Sequence, residues 1–155
     1  MELALRHALA TVAYRAGNAL RDAPPGFGDF RPFPGTRSPG EILAHMGDLI
    51  DWAESLARGK EEWREAAPLP WDEEVARFFA ALQSFDRRLD SNASLAVSPE
   101  AVFQGPLADA LTHIGQIALL RRIAGSAVRG ENYHRADVVA GRVGLDQSPP
   151  RREFD

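Results

Sequence analysis

Between Leu107 and Ile123 the chain is apolar almost all the way round a helix, except for one stripe: Asp109, Thr112, His113 and Gln116. The offsets in this stripe, i, i+3, i+4 and i+7, put the four side chains on one helical face. The rest of the segment, Leu107, Ala110, Leu111, Ile114, Ile117, Leu120 and Ile123 among others, reads as a helix buried on most sides. Unpartnered polar groups are costly in such a setting, so the stripe calls for a partner inside the fold. Asp109 and His113, one turn apart, can converge on a single point.

The remaining sequence supplies helices to pack against it. Leu5, Leu9, Val12, Ala13, Ala16 and Leu20 recur at helical spacing, and Ala23-Pro24-Pro25-Gly26 ends that first helix. A loop follows, with Phe27, Phe30 and Phe33 as apolar anchors. Ser38-Pro39-Gly40-Glu41 has the form of a capping box with proline at the first helical position, opening a second helix whose buried stripe is Ile42, His45, Met46, Leu49, Trp52, Ala53 and Leu56. A polar hinge at Arg58-Gly59-Lys60 leads to a third helix, capped by Asp72 and carrying Val75, Phe78, Phe79, Leu82, Phe85 and Leu89. The fourth helix is expected to open at Gly105-Pro106 and close at Gly125. No segment reads as a strand. The expected fold is all-α, a four-helix bundle spanning residues 1–155 as one domain, with a C-terminal tail from about residue 126.

Composition narrows the chemistry. A net charge of -4 without clustered Lys and Arg argues against a nucleic-acid binder. The chain has no cysteine, so disulfides, thiolate ligands and a cysteine nucleophile are excluded. The N-terminus lacks a signal-peptide core, and no apolar run approaches the roughly 20 residues that span a bilayer. A soluble, cytoplasmic protein without membrane contact is expected.

In a bundle interior, an i, i+4 pair and one residue from a neighbouring helix make a three-ligand metal site. His45, on the apolar face of the second helix, is the natural third ligand to Asp109 and His113. Each residue also has a plainer role. His45 alone reads as a core histidine, Asp109 suits the first turn after Gly105 through the helix dipole, and Thr112 can bond its own backbone. The combination favours the metal. Nitrogen and oxygen ligands suit Zn, Fe, Ni or Mn, and Gln116 and Thr112 are placed behind the ligands as orienting groups. His7 and His134 read as solvated, the tryptophans as core and interface packing, and Arg121-Arg122 as a partly solvated pair at a helix C-terminus.

The segment Ala110-Leu111-Thr112-His113-Ile114-Gly115-Gln116-Ile117-Ala118-Leu119-Leu120-Arg121-Arg122, followed by Gly125, resembles the last bundle helix of the DinB/YfiT-like proteins. Ser38 to Met46 is similar to that family's His-bearing second helix, and the resemblance runs from Ser38 to about Gly144. It implies a four-helix bundle, commonly dimeric, with a divalent metal held by three histidines. His45 and His113 match two of those ligands, while Asp109 stands where the remaining His is usual. Such relatives include transferases and isomerases that use low-molecular-weight thiols, which implies a small thiol and an electrophilic small molecule as partners here. The aromatic load at Trp52, Trp63 and Trp71 offers a patch for the implied homodimer. The tail from Glu131 to Asp137 is similar to the ending of one branch of the family and is expected to pack near the bundle mouth.

Overall fold

The protein is described by a computed structural model over residues 2–91 and 93–154. It is all-α: α1 (Glu2–Leu20), α2 (Pro39–Ala57), α3 (Trp71–Asp90), a short α4 (Pro99–Val102) and α5 (Ala108–Ile123), with no strand among the described residues. A π-helical turn, Phe103–Leu107, joins α4 to α5 without a break in helical backbone. Both α1 and α2 pack against α3 and α5, so the four long helices enclose one core. Tyr14, Leu43, Met46, Ile50, Phe78, Phe85, Leu107 and Ile117 are completely buried there. Each large apolar side chain removed from water in this way contributes about 1.5–3 kcal/mol. No helix among the described residues is long and apolar enough to cross a membrane.

The start of α2 is as the sequence predicts. Ser38 Oγ accepts from the Glu41 amide at 3.2 Å, and the Ser38 amide donates to Glu41 Oε2 at 2.7 Å. Gly40 is needed here because a Cβ at that position would lie 2.9 Å from the Gly28 carbonyl oxygen. The preceding loop is therefore pressed onto the first turn of α2. Phe27 is buried and meets Trp71 edge to face at 5.3 Å, but Phe33, expected as an anchor, is 69% exposed.

Other expectations are corrected. Asp72 does not cap α3. The cap position is Pro70, and the amide of Leu69 is satisfied by Glu74 Oε2 at 2.9 Å. The last helix does not open at Gly105-Pro106. Ser98 caps α4 through the Ala101 amide at 3.1 Å, and Pro106 lies inside the π turn. A proline has no amide to donate and crowds the preceding turn, and the wider turn takes up that misfit. Asp109 therefore sits well inside a continuous helical rod, and a first-turn dipole does not account for it.

The last segment is also less enclosed than its composition suggests. Ala110, Ile114, Ile117 and Leu120 face the core, whereas Leu119 and Ile123 are 56% and 52% exposed. Arg121, expected to be half solvated, is buried. Its Nη1 donates to the carbonyls of Ala19 and Arg21 at 3.1 and 2.7 Å, and its Nη2 to that of Asp22 at 3.2 Å. One guanidinium thus serves the unpaired carbonyls at the end of α1.

The tail runs along α1 and α3. Tyr14 donates to buried Glu131 at 2.7 Å, Asn18 donates to the same carboxylate at 3.0 Å, and Arg21 reaches the Leu145 carbonyl at 3.1 Å. Gly141 lies against Arg6 and Asp86, and Gly144 against Gln83. The tail does not gather at the polar stripe, because its anchoring partners belong to the other pair of helices.

Candidate metal centre

The residues picked out from the sequence meet between α2 and α5. His45 Nε2 lies 3.8 Å from Asp109 Oδ2, and His113 Nε2 lies 3.4 Å from Asp109 Oδ1. All three ligand atoms fall within 4.8 Å of one another. The imidazoles cross edge to face, with centroids 4.8 Å apart. Asp109 spans the two rings, one carboxylate oxygen toward each.

Helix geometry accounts for the arrangement. Asp109 and His113 are one turn apart on α5, and His45 comes from the facing side of α2, three residues before buried Asp48. The His45 and His113 side chains are 22% and 12% exposed, but that of Asp109 is 47% exposed. The group is walled on the side of the core and open on the side of Asp109.

The electrostatics suit metal ligation. Burial pushes the His45 imidazole below its ordinary pKa, helped by His113 and Arg37 and opposed by Asp109 and Asp48. It is neutral at neutral pH, which is the state that coordinates. His113 Nδ1 is 2.8 Å from Gln116 Oε1. In the tautomer that would coordinate through Nε2, Nδ1 carries the proton and donates to this carbonyl oxygen. Gln116 is thus in hydrogen-bond contact with the His113 ring. The Thr112 hydroxyl donates to the Ala108 carbonyl at 3.1 Å, the plainer of its two expected roles.

The group fits a divalent ion by donor type and spacing. Bonds of roughly 2.0–2.2 Å from two nitrogens and an oxygen put neighbouring ligand atoms about 3–3.5 Å apart. The 3.4 and 3.8 Å separations run to different oxygens of Asp109, and the three ligand atoms, within 4.8 Å of one another, would draw together by up to about 1.3 Å to reach that spacing. His45, Asp109 and His113 can hold such an ion.

Two features of the surroundings were not legible beforehand. Trp63, in the long connection between α2 and α3, places its ring edge-on to His45 at 5.6 Å and to Trp52 at 5.9 Å. The three tryptophans are thus divided between two settings, since Trp71 packs on Phe27. The connection is fastened by a buried ionic cluster. Arg77 donates to Asp48, to Glu74 at 3.0 Å, to Asp51 at 3.1 Å and to the Ala44 carbonyl at 3.2 Å. Asp48 in turn accepts from the Ala66 amide at 3.0 Å, and Glu74 from that of Leu69. Both carboxylates are buried, at 3% and 0% exposure. Gly47 makes room for the crossing, since a Cβ there would lie 3.0 Å from Arg77 Nη1. The only advance signal was charge on otherwise apolar helices, and spacing along the chain does not pair residues 29 positions apart.

Compared with protein-family profiles, with curated proteins and with solved structures, the chain finds no match.

Proposed function

We infer that this chain is a four-helix bundle of the DinB/YfiT-like type, and that it is a metal-dependent transferase using a low-molecular-weight thiol. The observation that carries the reading is the convergence of His45, Asp109 and His113 on one point, within 4.8 Å, beside an open face. The motifs around His45 and His113 add the family resemblance. A divalent ion of the Zn, Ni, Fe or Mn kind, when bound, would supply Lewis acidity that lowers the pKa of a thiol. His45, Asp109 and His113 hold the site, Gln116 fixes the His113 ring, and Trp63 covers one side of His45. The chain has no cysteine, so the thiol enters as a co-substrate and the electrophile as a second small molecule. The exposed side of Asp109 is the approach for both. The reading includes a cytoplasmic location and a homodimer.

Elemental analysis of untagged protein, followed by a panel of small thiols against generic electrophiles, tests this function. Bound metal with thiol-dependent turnover, both lost in His113→Ala, is the expected result. Metal without turnover would leave a noncatalytic metal-binding bundle, and neither would leave an interaction module.

A further inference from the structure

On the side of the tail, α1 and the turn Tyr133–Arg135 enclose a cleft of about 410 Å³. Its ionisable lining is unusual for a chain of net charge -4, because His7, Arg15 and His134 line it and no carboxylate does. The nearby carboxylates have partners of their own, Glu131 lying behind the lining residue Tyr14. Glu131 accepts from Tyr14 and Asn18, and Asp137 accepts from Arg142, Ser148 and Arg151. Arg15 has no ion-pair partner among the described residues. Its guanidinium lies 4.0 Å over the Tyr133 ring, and its Nε is buried without an acceptor. That Nε is closed to the cleft, so an anion there would meet the Arg15 guanidinium through its terminal nitrogens.

The donors are held in place. The Tyr14–Glu131 hydrogen bond anchors the tail to α1, and the Tyr133 ring packs edge-on to Tyr14 at 6.4 Å. Asn132 Oδ1 accepts from the His134 amide at 3.2 Å, which fixes the turn that carries this imidazole. His7 and Arg15 lie two turns apart on one face of α1, so the cleft is elongated, about 12 Å between their backbones. A phosphate fills only part of such a space.

We propose that this cleft binds a phosphate-bearing small molecule, with its phosphate between Arg15 and His134 and its remainder extending toward His7. A guanidinium pairs with carboxylate and phosphate alike, and an imidazole approaching from a second element can reach a further oxygen that a tetrahedral anion offers and a planar carboxylate does not. The site is separate from the His45–Asp109–His113 group and does not depend on the reading of that group.

Titration of the full chain with inorganic phosphate, glycerol phosphate, succinate and chloride at matched ionic strength, followed by the imidazole NMR signals of His7 and His134, tests the proposal. Saturable shifts with both phosphates are expected. Tighter binding of glycerol phosphate identifies a phosphomonoester, and tighter binding of inorganic phosphate identifies the free ion. Arg15→Gln should weaken binding about tenfold or more. His134→Gln, at an exposed position, should weaken it even if the Arg15 variant folds poorly. His113→Ala should bind phosphate like wild type. The proposal is overturned if chloride reproduces the shifts, if succinate binds as tightly as phosphate, or if His134→Gln binds phosphate like the parent.

Discussion

The imidazole of His113 stands at 89° to that of His45, the ring centroids 4.8 Å apart, with Asp109 bridging them on one side. Bringing two potential cations this close is productive only while the pair stays uncharged. That requirement makes the site sensitive to acid.

For the metal-free protein, the pH dependence follows from His45. Its folded pKa lies below the ordinary imidazole value of about 6.5, so the unfolded chain takes up a proton that the folded chain resists. The resulting stability is fully present above about pH 6.5 and is lost as pH falls through the folded pKa. Denaturant melts across this range should show declining stability. His45→Gln should flatten that part of the curve, and an unchanged curve would remove His45 as its source.

Metal removal should act in the same place. An ion bound only to the native state, present at a hundred times its Kd, stabilises by about 2.7 kcal/mol. Wild type should melt higher with metal than with chelator, and His113→Ala should show little difference while still folding, since Ile114, Ile117 and Leu120 keep their core contacts. Calorimetry with and without chelator measures both.

Gln116 should tune the site without supporting the fold. It is exposed on α5 and its contact is the 2.8 Å hydrogen bond to His113. Gln116→Leu should weaken metal affinity roughly 10–100-fold. Competition with a chromophoric chelator gives the number, and an unchanged affinity would mean that the His113 ring is held by packing alone.

The Arg77 cluster makes a stability prediction with a local signature. Arg77→Met leaves Asp48 and Glu74 buried without their cation and should cost about 3–5 kcal/mol. Asp48→Asn should speed amide exchange at Ala66, and Glu74→Gln at Leu69, because each carboxylate holds one of those amides. Equal exchange in all variants would show that the connection carrying Trp63 is fixed by other contacts.

Arg121 and Arg122 should behave as opposites. Arg121→Met strands carbonyls at the end of α1 and should cost about 3 kcal/mol, whereas Arg122→Met, on an exposed position, should stay within about 0.5 kcal/mol. Chemical denaturation of the pair separates the two.

The helical class, the capping box at Ser38 and the shared face of Asp109 and His113 were legible because each rests on periodicity or on short-range hydrogen bonding, and His45 was reached through its place on an apolar face and the family resemblance. The course of the tail, the burial of Arg121 and the placing of Trp63 on His45 were not. They depend on pairings between residues distant in the chain, and a charged or aromatic side chain carries no mark of which distant partner will enclose it. Asp109 shows the boundary between the two cases. Its face is readable from its offset to His113, while its position within the helix is not, because Pro106 has the form of a helix start and lies instead inside the π turn.

The π turn that takes in Pro106 holds one more residue than the α-helical turn it replaces. At 3.6 residues per turn, one residue is about 100° of rotation about the helix axis. The bearing of α5 relative to α4 is thus set by this surplus residue, and so is the direction in which Asp109 and His113 point. Had the rod been regular throughout, the two side chains would keep their spacing from each other but face a different quarter of the molecule, and His45 would have no counterpart. A single residue of slack, placed before the pair, aims it.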